Sequence, residues 1–308
     1  MIRFAVESLL SRVHRILVTD LCWPPYLRVL QQAANKLDRE LCVVAVKDMI
    51  TSDIATNDDV VNHLEAVYRA QRCDGLFLTD IGYRGVRLPI EHLIDDLNPS
   101  FVVIDGAQAF HQRSVDLSRL RCDLYLAGTQ KWFGAFHPLR LVFVGRYENK
   151  ASICGFANAQ SLDDCADGLF RFFEQLKRSS FPPFGATVNV SPLICAAGAL
   201  NQAGVQSQSF HDNWQVLRTN AQLFARWVSD SRWRAVEVHE SLGSGIVWLV
   251  PTSAGARHSG GRLRHALAHQ GVVATAYDDG SLRFSMPRSY LSLRQLSEVS
   301  RALQQTLN

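Results

Sequence analysis

The sequence predicts an α/β protein with a mostly parallel central sheet covered by helices, followed by a small α+β unit at the C-terminal end. Continuous apolar runs of strand length alternate with amphipathic runs of helical length as far as residue 146, which is typical of parallel sheets buried on both faces. The pattern changes from about residue 233, where shorter strands and two helices follow. We therefore predict two units, residues 1–190 and 191–308.

Each element follows from its own periodicity. Apolar residues Phe4, Leu9, Leu10 and Val13 recur at helical spacing in the first segment. The predicted helices cover residues 2–12, 26–38, 58–71, 88–97, two stretches within 193–229, 261–270 and 292–306. The predicted strands cover residues 15–20, 41–48, 74–80, 100–107, 123–131, 140–146, 235–240, 245–251, 271–277 and 281–287. A connector rich in Phe, Gly and Pro, residues 179–192, joins the two units.

Composition excludes several functional classes. The 308 residues are 47% hydrophobic with a net charge of +3 and no basic run, so neither disorder nor nucleic-acid binding is indicated. No apolar run approaches the roughly 20 residues of a membrane span. The seven cysteines show no C-x-x-C and no metal-binding spacing, which favours free thiols in a reducing compartment and gives no metal site. We expect a cytoplasmic protein without membrane contact.

Polar residues stand where four of the predicted strands end. They are Asp20, Asp80, Asp105 and Lys131. Ligands of parallel α/β sheets bind at the carboxyl ends of the strands, so these residues are candidates for one site. Lys131 is the most unusual, because a buried ammonium loses its hydration. The simpler interpretation is a lysine at a strand end whose amine reaches water.

The stretch "VVIDGAQAFHQRSVDLSRLRCDLYLAGTQKW" resembles the core of the class V aminotransferases, a family of pyridoxal 5'-phosphate (PLP) enzymes that includes cysteine desulfurases and isopenicillin-N-epimerase-like proteins. The shared pattern is Asp-x-x-Gln at a strand end, then a D-L-S/G-x-L-x-x-D segment, then a strand leading to a lysine. Weaker matches extend from about residue 3 to residue 305. The resemblance implies fold type I, PLP as cofactor, an amino-acid substrate and a homodimer with a shared active site.

The resemblance also implies roles for single residues. Lys131 would form the Schiff base with PLP and later move the proton on the substrate Cα. Asp105 would pair with the pyridinium nitrogen, and Gln108 would hydrogen-bond the phenolic oxygen of the ring. Without the lysine, Asp105 would read as a turn residue before Gly106, and Gln108 as a satisfied buried amide.

Further site residues come from shorter matches. Thr129 would bind the phosphate, and "FGATVNVSP" points to Thr187 reaching the phosphate of the neighbouring subunit. Trp23 would stack on the pyridine face, unless it only anchors the Pro-Pro turn in the core. Arg283, in "SLRFSMPRSYLSLRQLSEV", would hold the substrate α-carboxylate as a bidentate pair, unless it is an edge arginine in water.

The sequence also departs from the family pattern. Gln130 replaces the histidine that commonly precedes the lysine, and the loop "FGAFHPLRLVF" replaces a glycine-rich turn. The chain begins inside or just after the family's phosphate loop, so residues 1–190 are expected to form a large cofactor-binding domain without that loop. Residues 196–308 contain no cysteine, so sulfur transfer is not expected.

Two classes of function follow from these residues. The first is a PLP-dependent enzyme acting on an amino acid through Lys131, with transamination as the default and with lyase, epimerase or decarboxylase chemistry as alternatives. The second is a non-catalytic dimeric scaffold that has lost its phosphate loop. The retained Asp105, Gln108, Lys131 and Arg283 favour the enzyme.

Overall fold

The fold is described here from a computed structural model, which covers residues 1–52, 55–159, 187–205, 210–228, 233–252 and 259–306, with residues 168, 169, 172 and 176. The described part contains two sheets. The strands of the first sheet are β1 (Arg15–Thr19), β2 (Glu40–Val44), β3 (Gly75–Thr79), β4 (Phe101–Asp105), β5 (Leu124–Gly128) and β6 (Arg140–Val144). The helices around it are α1 (Ile2–Leu10), α2 (Pro24–Lys36), α3 (Lys47–Ser52), α4 (Asn57–Ala70), α5 (Ile90–Leu97) and α6 (Lys150–Ala159).

The strands of the first sheet lie in the order β2-β1-β3-β4-β5-β6. The pairs from β2 to β5 are parallel, and only β6 runs antiparallel to its neighbour β5. The predicted mostly parallel sheet is therefore confirmed. Its parallel strands end at one edge, which places their last residues side by side.

Helices cover both faces of this sheet. On one face, α4 and α5 pack against the sheet through side chains such as Leu64 and Ile94. On the other face, α1 and α2 pack through Leu9, Leu30 and their neighbours against alternate residues of the same strands. Because side chains alternate along a strand, each strand contributes to both cores.

The predicted strand at 41–48 ends early. β2 stops at Val44, and α3 begins at Lys47. The Asp20 carboxylate accepts hydrogen bonds from the Val46 and Lys47 N–H groups, at 3.0 and 3.1 Å from Oδ1. These bonds take the backbone donors that a longer strand would need, so the chain leaves the sheet and turns into a helix.

The second unit is a four-stranded sheet with helices on it. Its strands lie in the order β7-β8-β10-β9 and are antiparallel. They are β7 (Trp233–Ala235), β8 (Ile246–Pro251), β9 (Thr275–Ala276) and β10 (Leu282–Ser285). The helices that pack on this sheet are α8 (Phe210–Val228), α9 (Gly260–His269) and α10 (Leu293–Gln305), and α7 (Ser191–Val205) precedes them in the chain. Trp233, Phe224 and Leu263 are central to its core. The predicted strand at 235–240 is wrong except at Ala235, because β7 covers residues 233–235 and a 3-10 helix begins at Glu240. The predicted strand at 271–277 is reduced to Thr275–Ala276, and Val273 is exposed rather than packed.

The loop after β3 joins the two sheets. Its Gly85 has φ +92°, and a Cβ there would lie 2.6 Å from the Ile246 carbonyl oxygen, so only glycine fits this approach. Ser244 Oγ donates a hydrogen bond to the Gly85 carbonyl at 2.6 Å, and Arg87 N–H donates to the Leu242 carbonyl at 2.8 Å. These contacts fix the second sheet over the carboxyl edge of the first.

The described residues contain free cysteines but no membrane-spanning helix. None of the helices that the structure describes is long and apolar enough to cross a membrane. Six cysteines are free, of which Cys22, Cys73 and Cys122 are buried and Cys154 is exposed. Cys165 lies outside the described residues.

A buried ion-pair network lies at the carboxyl edge of the first sheet, on the side covered by α5. Arg113 donates two hydrogen bonds to Asp80, at 3.1 and 2.9 Å, and a third to Glu91 at 2.8 Å. Asp80 is completely buried, and this burial raises its pKa to about 6, while Arg113 opposes the rise. Tyr125 adds a long contact of 3.4 Å to the same carboxylate.

Replacing Arg113 by methionine should destabilise the fold by about 3–5 kcal/mol, because Asp80 is left buried without its cation. Without Arg113, the folded-state pKa of Asp80 moves further above its unfolded value. The loss of stability in the variant should therefore grow as pH rises above about 6. At that pH Asp80 of the folded wild type has already ionised, whereas Asp80 of the folded variant is still protonated and loses its proton when the chain unfolds.

Urea unfolding of both proteins across pH measures this deficit. The control is Arg119→Met, which removes an exposed ion pair with Asp116 and should change stability by less than about 1 kcal/mol. Equal losses in the two variants would contradict a structural role for the buried network.

Candidate active site

Three neighbouring strands present their last residues to one face of the first sheet. Thr79 and Asp105 are paired across β3 and β4, and Gly128 ends β5. Asp105 lies on the same face as Val103, which packs in the α1 and α2 core. Alternation along the strands therefore directs these positions toward the α1/α2 side of the carboxyl edge.

A cavity of about 370 Å³ opens at this edge, between the two sheets. Five of the seven predicted site residues line it, namely Trp23, Asp105, Gln108, Lys131 and Arg283. Its volume falls within the usual range of small-ligand pockets, about 300–1,000 Å³. A second cavity, of about 420 Å³, lies beside α8 and the loop after β3, and none of the predicted site residues lines it.

Asp105 is the buried anion of the site. Its side chain is 4% exposed, and Oδ1 accepts a hydrogen bond from the Ala107 N–H at 3.0 Å. Desolvation raises the pKa of this carboxyl, whereas the Ala107 hydrogen bond and the charge of Lys131 lower it. A cation bound beside Asp105 would therefore be strongly favoured.

Lys131 follows β5 and projects into the cavity, where its side chain is exposed. The surrounding protein still desolvates its amine, which lowers the pKa. Arg283 lowers the pKa of Lys131 further, and Asp105 raises it. Lys131 is thus an amine with a lowered pKa at the centre of a cavity, which is the setting required of a lysine nucleophile.

Gln108 is held by a residue that sequence reasoning missed. The indole Nε1 of Trp132 donates a hydrogen bond to Gln108 Oε1 at 3.1 Å. An indole can only donate, so the acceptor must be the amide oxygen, and the amide NH₂ group is left to donate elsewhere. Gln108 lines the cavity, so this donor is available to an acceptor on a ligand.

Trp23 lies at the N-terminal end of α2 and is 44% exposed. Its ring makes an edge-to-face contact with Tyr26, with centroids 5.0 Å apart. Both rings line the cavity. A ring that is 44% exposed at a cavity wall is not a core anchor, and its stacking on a ligand stays a prediction.

Arg283 lies on β10 and reaches the cavity from the second sheet. Its Nη1 donates to the Tyr83 carbonyl at 3.3 Å, and its Nε is buried without a hydrogen-bond partner. Tyr277 lies beside the guanidinium and donates its hydroxyl to the same carbonyl at 3.2 Å. Arg283 is therefore a fixed cation with hydrogen-bonding capacity to spare, and not an edge arginine in water.

Two predicted site residues lie outside the cavity. Thr129 is buried, and its hydroxyl accepts the Leu139 N–H at 2.9 Å, which ties together the ends of the loop that follows Lys131. Thr187 is exposed on the segment before α7. The residues around Lys131 that do line the cavity are Gly128 and Gln130. The predicted phosphate contacts of Thr129 and Thr187 stay predictions.

Other cavity residues had no signal in the sequence. Tyr26, Tyr83, Arg140 and Tyr277 line the cavity from four different elements or loops. Arg140 is close only because β6 runs antiparallel to β5 and sets it opposite Gly128. In the described residues no group of three or more His, Cys, Asp or Glu side chains could hold a metal ion.

Residues 26–136, which include Asp105 and Lys131, match the family model of class V aminotransferases. The class V resemblance is confirmed over this segment. A curated relative from Deinococcus radiodurans, an ATP phosphoribosyltransferase regulatory subunit, is 28% identical over 189 residues, which are 60% of this chain. The chain spans only 40% of the length of that relative.

Solved structures match the whole chain. One is a mutant of C-DES with glycine covalently linked to the PLP cofactor, with a TM-score of 0.73 and 14% identity over 100% of this chain and 79% of that chain. Another is pyridoxamine-pyruvate aminotransferase from Mesorhizobium loti, with a TM-score of 0.71 and 16% identity over 100% and 76%. The fold is that of the fold type I PLP-dependent enzymes, as predicted.

The opposing charges around Lys131 predict how the reactivity of its amine depends on pH. Only the neutral amine attacks a carbonyl, so a lowered pKa should let Lys131 react with a small neutral aldehyde at lower pH than an ordinary lysine. The midpoint should move to higher pH in Arg283→Gln, which loses a cation, and to lower pH in Asp105→Asn, which loses the anion.

Reductive trapping followed by mass spectrometry of the Lys131 peptide gives the pH profile, with the exposed Lys36 as internal reference. Midpoints that move in the same direction in both variants, or not at all, would contradict the electrostatic coupling within the cavity.

Proposed function

We propose that this protein is a PLP-dependent enzyme that acts on an amino acid, most simply as an aminotransferase, with Lys131 as the residue that binds the cofactor covalently. The observation that carries the proposal is the cavity in which Lys131 is coupled to the buried Asp105 and to Arg283. The class V match and the similarity to aminotransferase structures support the same reaction class.

The residues present fit PLP on chemical grounds. Asp105 is a desolvated carboxylate that a protonated ring nitrogen would stabilise, and Trp23 offers an aromatic face. The free NH₂ group of Gln108 suits a phenolic oxygen. Arg283 and Arg140 are cations at the cavity wall, and PLP with its substrate carries a phosphate and a carboxylate for them.

Bound PLP supplies an aldehyde for the amine and a ring that withdraws electrons from the substrate Cα. In the proposed mechanism Asp105 would keep the proton on the ring nitrogen, and Gln108 would donate to the phenolic oxygen. Arg283 would bind the substrate carboxylate and orient the Cα. Lys131 would hold the cofactor through its amine and would move the proton at the substrate Cα.

The reaction type is set by which Cα bond is weakened. Transamination is the reaction named for several similar structures, namely the aminotransferases from Bacillus subtilis, Nostoc sp. and Mesorhizobium loti. Cysteine desulfurases are also similar in fold. The expectation that this protein does not transfer sulfur therefore rests only on the absence of cysteine from residues 196–308. Lyase, epimerase and decarboxylase chemistry would use the same residues. A homodimer in which Thr187 reaches the neighbouring site belongs to the same proposal.

A second candidate is a non-catalytic, regulatory partner. It is favoured by the Deinococcus radiodurans relative, which is named as a regulatory subunit. A regulatory subunit has no need for a lysine of lowered pKa beside a desolvated aspartate and a fixed arginine. Those groups favour the enzyme.

The cofactor assignment predicts the visible spectrum of the purified chain. After addition of PLP and removal of the excess, the wild type should keep a visible band and yield a borohydride-stable adduct on Lys131. Lys131→Ala should lose both, whereas Lys36→Ala, which changes an exposed lysine outside the cavity, should keep both. A wild type without any band would favour the regulatory alternative.

Arg283→Gln should weaken amino-acid binding by about 10- to 100-fold, the usual effect of losing a charge-assisted pair. Spectral titration of the PLP form measures this with an amino acid and with the corresponding amine that lacks the carboxylate. Only the amino acid should lose affinity. The control is Arg234→Gln, an exposed arginine of the same sheet. Equal losses for the amino acid and the amine would contradict the carboxylate assignment.

A further inference from the structure

A second arginine reaches the cavity from the first sheet, whereas Arg283 reaches it from the second. Arg140 is the first residue of β6, and its Cα pairs with that of Gly128 at the end of β5. Val142 and Val144, two and four residues later, pack in the core beneath α1 and α2. Alternation along β6 therefore directs Arg140 to the same face as Asp105, where it lines the cavity.

The two arginines reach the cavity from different sheets. Arg283 stands on β10 of the second sheet and bonds to the loop that follows β3, whereas Arg140 stands on β6 of the first sheet, next to β5. Asp105 on β4 and Lys131 after β5 line the same cavity. A ligand held at Lys131 and Asp105 can therefore contact one arginine of each sheet.

Arg140 has no carboxylate within ion-pair distance among the described residues, although Arg15, Arg84, Arg113 and Arg146 each have one. The titratable groups that line the cavity with it include Asp105 and Tyr26, and burial and Asp105 raise the pKa of Tyr26 while Arg140 opposes the rise. Arg140 is exposed at the cavity wall. A cation without an internal partner on a ligand cavity is suited to an anionic group of the ligand.

Gln130 completes this end of the cavity. A Cβ on Gly128 would lie 2.7 Å from Gln130 Oε1, so the glycine is what allows the amide to lie over the strand end. Gln130 and Gly128 line the cavity together with Arg140, which faces Gly128 in the strand pair. A guanidinium and an amide can therefore act on the same anion.

We propose that Arg140 binds the phosphate of the cofactor, assisted by Gln130, and thereby sets the direction in which the cofactor lies in the cavity. Arg283 is then left for the substrate carboxylate. The proposal rests on the proposed function, because it assumes that a phosphorylated pyridine occupies this cavity. It assigns to a side chain on β6 a contact that the sequence assigned to Thr129 and Thr187.

The test compares ligands that differ only in the phosphate. Pyridoxine 5'-phosphate and pyridoxine share the ring and lack the aldehyde, so their binding does not require a bond to Lys131. Quenching of the fluorescence of tryptophans such as Trp23 measures both affinities in wild type, Arg140→Gln and Arg140→Lys. The matched control is Arg28→Gln, which removes the same charge. Arg28 is an exposed arginine of α2 that does not line the cavity.

Arg140→Gln should weaken pyridoxine 5'-phosphate by about 10- to 100-fold and leave pyridoxine unchanged, since only the phosphorylated ligand loses a charge-assisted pair. Arg140→Lys should recover part of the loss, because the charge returns without the planar fork. Arg28→Gln should bind both ligands as the wild type does.

Three results would overturn the proposal. They are unchanged binding of the phosphorylated ligand in Arg140→Gln, equal losses for both ligands, and an equal loss in Arg28→Gln. Failure of the proposed function has a different signature. In that case the phosphorylated ligand still binds through Arg140 but PLP leaves no borohydride-stable adduct on Lys131.

Discussion

The site depends on one buried charge, the carboxylate of Asp105. It ends a central strand, is almost fully desolvated, and accepts a backbone hydrogen bond at only one of its oxygens. Burial of an anion is unfavourable unless a cation compensates it, and Lys131 supplies part of that compensation. A further positively charged group beside Asp105 would complete the compensation of this buried charge.

The rest of the cavity is organised around this charge by two structural connections. The antiparallel β6 brings Arg140 to the cavity beside Gly128, and the loop after β3 holds Arg283 through its Tyr83 carbonyl. Gly85 permits the close approach to Ile246 on which the second connection depends. Beneath the sheet, Arg113 compensates Asp80, the neighbouring strand-end aspartate. Two adjacent aspartates thus differ in role, because one has an internal cation and the other faces a cavity.

The hydrogen bond from Trp132 to Gln108 shows how the protein fixes a polar side chain that faces the cavity. The indole occupies the amide oxygen, and the amide NH₂ group has to donate toward the cavity. The short segment from Lys131 to Arg140 thus contributes the cavity lysine, the group that orients Gln108, and the Arg140 guanidinium. These ten residues connect β5 to the antiparallel β6, so one short connection supplies several of the polar groups in and around the cavity.

The alternation of strands and helices could be predicted from the amino-acid sequence, and with it the parallel sheet and the edge at which Asp105 and Lys131 meet. Those features depend on local periodicity and on a motif that is contiguous in the chain. The folded chain was needed to show that Thr129 turns into the loop, that Trp132 supports Gln108, and that Arg140 enters the cavity. Each of these facts depends on the pairing and packing of segments distant from one another, or on the direction of a single side chain, and local periodicity carries no information about either.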